Sequence, residues 1–309
     1  MKKKKILITG SNGLLGQKLI SLLLSHKHFE LIATSIGANR CNISEGFVFE
    51  SMDVTDYQNI ENIFQKYKPD VVIHTAAMTN VDLCEDKKSE CRKLNVEAVS
   101  NLLSAFKSLN NNGHFIHLST DFIFDGTKGP YSETDIPNPL SFYAQSKLDA
   151  EILVQNSGIS WSIIRTVLVY GLVKDMSRSN IVLWAKESLE NKKTIKVVDD
   201  QFRTPTLAED LAQGCILAAE KSAKGIFNIS GNDFMSILEL VNKVAKFWKL
   251  DTSFIVPVKS NSLNQPAKRP PVTGFKIEKA ISELGYIPHR FEEGLKLIDE
   301  QLSKSQKLL

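Results

Sequence analysis

Six short apolar runs recur through the first 170 residues, and helical patterns separate most of them. "KKILITG", "FELIATS", "GFVFE", "VVIHTAA", "HFIHLST" and "WSIIRTVLVYG" read as strands. "GLLGQKLISLLLS" places Leu14, Leu15, Leu19, Leu22 and Leu23 on one helical face. "DVTDYQNIENIFQKYKPD" reads as a helix capped by Thr55 and ending before Pro69. Further helices are predicted over 90–108 and in "FYAQSKLDAEILVQN". Strand and helix in alternation imply parallel pairing with right-handed crossovers. The strands are almost continuously apolar, so helices must cover both faces of the sheet. The fold class is α/β, a doubly wound parallel sheet of Rossmann type.

After Gly171 the alternation loosens. A helix is predicted over 180–190, then the strand "KTIKVV", a helix over 206–220, the strand "GIFNIS" and a helix over 235–248. The Pro-rich "SLNQPAKRPPV" and two closing helical stretches complete the chain. This predicts a first domain over 1–170 and a smaller α/β domain over 171–309, with elements from about 197–230 returning to the first.

The 309 residues are 42% hydrophobic and 24% charged, with a formal net charge of +3. No clustered basic footprint marks a nucleic-acid binder. The run Lys2 to Lys5 reads as a solvated lead-in to the first strand. It is followed by too short an apolar stretch for a signal peptide, and no 18-residue apolar span occurs. The expectation is a cytoplasmic protein with no membrane contact. Cys41, Cys84, Cys91 and Cys215 lack CxxC spacing and are expected as free thiols. The six histidines form no ligand-spaced cluster, so no metal is expected.

"TGSNGLLG" closes the first strand and opens the first helix. Gly10 permits the tight turn, Gly13 lets the backbone approach a pyrophosphate, and Gly16 lets the helix pack on the strand. The helix N-terminus supplies free N–H groups to the anion. In this strand–turn–helix context the glycines imply a dinucleotide site, to which Asn12 and Leu15 also belong. At the end of the second strand, Thr34 and Ser35 stand where an acid would hold a ribose 2′-hydroxyl, with Arg40 close behind. A hydroxyl and a guanidinium suit a 2′-phosphate, so NADP(H) is favoured and NAD(H) is the alternative. Asp53 and Val54 follow the third strand, where an Asp commonly meets the adenine. Ala76 and Ala77 put small residues where the cofactor must pass.

Thr120 ends the fifth strand, and Tyr143 and Lys147 lie one helical turn apart. An ammonium beside the phenol is expected to lower the Tyr143 pKa from about 10 toward the working pH. That would make Tyr143 a general acid for a carbonyl receiving hydride.

These residues carry a resemblance. The chain resembles an extended short-chain dehydrogenase/reductase, and more narrowly the dTDP-4-dehydrorhamnose reductase family. The similarity runs through "TGSNGLLG", "KPDVVIHTAAMTNVDLCE", "LNVEAVSNL", "STDFIFDG…PYSETDIPNPLSFYAQSKLDAE", "IIRTVLVYG", "VVDDQFRTPTLAEDLA" and "AKRP", nearly the whole chain. The resemblance implies that Thr120 holds the sugar C4 carbonyl, Tyr143 gives the proton, and Lys147 binds the nicotinamide ribose. It implies that Asn95 supports a proton relay and that Thr79, Val81, Asp82 and Asp121 lie on the substrate side, Thr79 also touching cofactor. Family reductases read Ser-Trp where this chain has Val167-Leu168, and that Trp borders the sugar. The implied partner is a nucleotide sugar, with a homodimer allowed. The regulatory β subunit of methionine adenosyltransferase shares the architecture, so the alternative functions are an NADP-binding regulatory subunit or a same-fold reductase of another nucleotide sugar.

Overall fold

The computed structural model describes residues 3–43, 45–109, 112–175 and 179–306, so Lys2 lies outside it. Lys4 and Lys5 are not a solvated lead-in but the first residues of strand β1 (Lys4–Thr9). Their ammonium groups donate to the Ala219 and Tyr67 carbonyls at 3.0 and 3.1 Å. Along β1, Ile6 and Ile8 enter one core while Leu7 enters another. That is the period-two alternation of a strand covered on both faces.

Helix α1 (Leu14–Leu23) leads to β2 (Phe29–Ser35), which is followed by β3 (Val48–Ser51), α2 (Tyr57–Tyr67) and β4 (Val71–His74). Asp56, one residue beyond the expected Thr55, caps α2 by accepting from the Gln58 and Asn59 N–H groups. A carboxylate there also complements the helix dipole. The single helix expected over 90–108 runs over 88–108 as α4 (Lys88–Arg92), a π-helical turn over Lys93–Glu97 and α5 (Ala98–Ser108), with the short α3 (Val81–Asp86) before it.

Strand β5 (His114–Thr120), helix α6 (Phe142–Gln155) and strand β6 (Ser160–Thr166) complete the alternation. The expected sixth strand stops at Thr166 because Leu168 adopts a left-handed backbone, φ 40°. The chain then leaves the sheet as β7 (Val169–Tyr170).

Beyond it come α7 (Ile181–Glu190), β8 (Ile195–Val198), β9 (Phe202–Arg203), β10 (Thr206–Leu207), α8 (Ala208–Lys221) and β11 (Gly225–Asn228). They are followed by β12 (Met235–Ser236), α9 (Ile237–Phe247), β13 (Ile255–Val258) and α10 (Phe291–Gln306).

Among the described residues, seven strands form one parallel sheet in the order β11-β6-β5-β4-β1-β2-β3. Residues of α1 and α8 fill the core on one face, and residues of α2, α5 and α6 fill the other. The strand order reverses between β1 and β4. There the crossovers part to opposite faces and leave a crevice at the carboxyl ends of the strands. A third core joins Tyr170, Val182, Leu240 and Leu295 from β7, α7, α9 and α10. It packs around the short pair β8–β13. No helix of the described residues is long and apolar enough to cross a membrane.

Candidate active site

At the reversal point the chain turns sharply between β1 and α1. Gly10 has φ +66°, and a Cβ there would meet the Ala76 nitrogen at 2.8 Å. A Cβ at Gly16 would meet the Gly10 oxygen at 2.5 Å, so Gly16 serves close packing and does not line the crevice. Gly13 caps α1 with no side-chain hydrogen bond, leaving the helix N-terminus to an outside acceptor. Ser11 Oγ, buried in the same turn, has no partner among the described residues. Uncapped N–H groups, an orphaned hydroxyl and absent side chains fit a dinucleotide pyrophosphate.

Asn12 ties this turn to the loop after β2. Its amide donates to the Ala38 carbonyl at 2.9 Å, and its oxygen accepts from the Arg40 N–H at 2.9 Å. Arg40 is thereby held near the turn, exposed, and no carboxylate among the described residues pairs with it. Ser35 ends β2, half-buried. Asp53 Oδ1 accepts from the Thr55 N–H and hydroxyl, each at 2.8 Å. Val54 is a core residue, and Ala76 packs against that same core. Their side chains are committed to packing.

A cleft of about 720 Å³ extends from the glycine turn, where Gly10, Asn12, Gly13 and Leu15 line it, to the third core. Ala77, Thr79 and Val81 form the wall beyond β4. Thr120, Tyr143 and Lys147 line the same cleft, within the size range of small-ligand sites. Strand β5 ends at Thr120, and Ser141 caps α6 by accepting from the Ala144 N–H. That cap, two residues before Tyr143, starts the helix so that Tyr143 and Lys147 share its inner face, both buried.

Burial raises the Tyr143 phenol pKa, partly offset by a hydrogen bond with Thr120, while the nearby Asp121 charge raises it further. The expected lowering by Lys147 is overturned. Desolvation penalises the phenolate more than its neighbours repay, so Tyr143 is a neutral, proton-bearing group. Burial lowers Lys147 to about 8, opposed by Glu151 and Cys91. Glu151 is wholly buried and chelated by Arg165 at 3.0 and 2.7 Å.

Thr120 donates to Asp121 Oδ1 at 3.1 Å and accepts from the Phe122 N–H at 3.2 Å. Asp121 is buried, its other oxygen accepting from Thr273 and lying 3.7 Å from Arg203. Burial raises the Asp121 pKa against the pull of Arg203. Asn95 sits in the π-helical turn and does not line the cleft. Its amide accepts from the Met78 N–H at 2.8 Å and donates to the Met78 carbonyl at 3.0 Å and to Ser146 Oγ at 3.0 Å. It therefore fixes the loop between β4 and α3.

Asp82 lies outside the cleft lining and binds Arg269, which lines the cleft, through bonds of 3.1 and 2.6 Å. Arg203 and Arg269 went unassigned from sequence, although "QFRTP" and "AKRP" carried them. Nothing local distinguishes an arginine that lines a cleft from a surface one. Leu168 lines the cleft, as do Trp184 of α7 and Lys196 of β8. Among the described residues no group of His, Cys, Asp and Glu could hold a metal.

Residues 4–303 match the family model described as the RmlD substrate binding domain. A crystal structure of a dTDP-4-dehydrorhamnose reductase from Clostridium acetobutylicum has a TM-score of 0.85 at 29% identity, covering 97% of this chain and 99% of that one. A hypothetical dTDP-4-dehydrorhamnose reductase from Sulfolobus tokodaii has a TM-score of 0.79 at 31% identity, covering 94% and 98%. The methionine adenosyltransferase 2 subunit beta of Xenopus tropicalis is 32% identical over 262 residues, 82% of this chain and 75% of the relative.

Proposed function

The chain belongs to the RmlD substrate-binding-domain family, and from that premise we propose that it is an NADPH-dependent reductase of a nucleotide-linked 4-keto-deoxysugar. The substrate best matched is dTDP-4-dehydrorhamnose, reduced to dTDP-rhamnose. What supports this reading is the convergence of Thr120, Tyr143 and Lys147 on the cleft that the glycine turn lines.

In this reading the turn and the N-terminus of α1 take the pyrophosphate, and Ser35 and Arg40 take the 2′-phosphate. The dinucleotide, when bound, supplies hydride to the carbonyl carbon. Tyr143, kept neutral by burial, gives its proton to the carbonyl oxygen, completing the alcohol. Thr120 has one hydroxyl proton, directed at Asp121 in the free protein. Rotation about one bond turns it onto the developing alkoxide. Lys147 holds the ribose and places a positive charge beside that oxygen. Residues 1–170 with α8 and β11 form the dinucleotide half, and the third core with α7, α9 and α10 forms the substrate half.

A second reading is favoured by the relatives named methionine adenosyltransferase 2 subunit beta, 30–32% identical over 82% of the chain. In it the chain binds the dinucleotide and a partner enzyme and reduces nothing. NADPH absorbance on addition of dTDP-4-keto-6-deoxy-L-mannose separates the two. A fall supports the reductase; tight NADPH binding without any fall supports the subunit.

A further inference from the structure

His117 lies against Lys147 and stacks on a second histidine from the neighbouring strand. His74 on β4 and His117 on β5 are register partners. Their rings stack at 5.6 Å and 23°, and both side chains are buried. The Lys147 ammonium lies 3.4 Å from His117 Nε2. The nearest acid on its helix, Glu151, has both oxygens engaged by Arg165.

An ammonium has protons and no lone pair, so the ring nitrogen facing it must be the acceptor. His117 therefore carries its proton on Nδ1, an atom with no partner among the described residues. His74 continues the contact toward the cofactor turn, its Nδ1 lying 2.8 Å from Thr9 Oγ1 next to Gly10.

We propose that His117 is a positioning residue for Lys147, its neutral imidazole accepting from the ammonium through Nε2 and so holding both that side chain and its proton. This rests on the role given to Lys147 above and adds what keeps a buried ammonium charged. The titratable or charged groups facing Lys147 are Tyr143 and Glu151 on α6, Cys91 on α4, His117 on β5 and His74 on β4. Burial and the Lys147 charge hold both histidines neutral, His74 at about 3. Glu151 and Cys91 favour the ammonium at longer range. His117 is the neighbour that offers it a lone pair directly.

The test is the titration of Lys147 in full-length protein labelled with ¹³Cε-lysine, its signal assigned with Lys147→Met. The parent midpoint is expected near 8. His117→Leu removes the acceptor and should lower the midpoint by about one unit, the worth of a charge-assisted hydrogen bond. His117→Gln keeps an acceptor near the same place and should restore it. His117→Asn, too short to reach, should behave as Leu and serves if the Leu variant does not fold. An unchanged midpoint in His117→Leu or His117→Asn overturns the proposal. The measurement needs no substrate, so it holds or fails separately from the reductase reading.

Discussion

Asn12 and Arg40 are joined by a 2.9 Å hydrogen bond from the Arg40 N–H to the Asn12 side-chain oxygen. Asn12, in the glycine turn, thus also fixes the loop carrying a guanidinium that no carboxylate among the described residues pairs with. NADPH should bind more tightly than NADH, and Arg40→Ala should narrow the gap by about tenfold, the low end for a charge-assisted bond at an exposed site. Asn12→Ala should narrow it too, by releasing the loop. Fluorescence titration with both dinucleotides measures this, and equal affinities in the parent would contradict it.

The glycine turn separates binding from folding. Gly13 has φ −77° and a Cβ there would meet the Gly10 oxygen at 3.2 Å, a contact a small shift relieves, whereas a Cβ at Gly16 meets backbone at 2.5 Å. Gly13→Val should abolish dinucleotide binding with little loss of stability. Gly16→Ala should destabilise the fold by about 1–3 kcal/mol through overpacking. Denaturant unfolding beside NADPH titration distinguishes them; unchanged binding in Gly13→Val would misplace the phosphate site.

Arg165 of β6 and Glu151 of α6 form a buried pair. Removing one partner strands the other charge, so Arg165→Met should cost about 3–5 kcal/mol. Arg165→Met combined with Glu151→Leu should cost less than Arg165→Met alone. An additive or larger loss in urea unfolding would show that the pair is not what the site requires.

The pH dependence follows from Lys147. Burial sets its pKa near 8 in the free protein, so the ammonium is present below that value and lost above it. Because kcat/KM reports free-enzyme groups, it should fall as pH rises through about 8. Tyr143 is raised by burial and keeps its proton across that range. The limb should therefore persist in a residually active Tyr143→Phe variant. A limb that vanishes with the hydroxyl would return the titration to Tyr143.

The sheet was legible because its strands are apolar enough to read without partners. Ile6, Leu7 and Ile8 face two cores and still form one unbroken run. The turn was legible because glycine spacing reports backbone conformation directly. The break at Leu168 was not, since a left-handed leucine carries no local signature. The Tyr143 pKa was misjudged for a related reason. Spacing along a helix places an ammonium near the phenol, but burial depends on Phe122 and other groups from distant segments. The surroundings of His117 and Arg203 were not legible either, because their partners Lys147 and Asp121 lie far along the chain.

The central claim is that Tyr143 donates the proton. Tyr143→Phe removes one oxygen and should leave NADPH binding intact. The measurement is single-turnover oxidation of bound NADPH by dTDP-4-keto-6-deoxy-L-mannose, in parent and in purified Tyr143→Phe. The variant should be slower by about two to four orders of magnitude, the usual worth of a positioned acid. Reduction at the parental rate would contradict it.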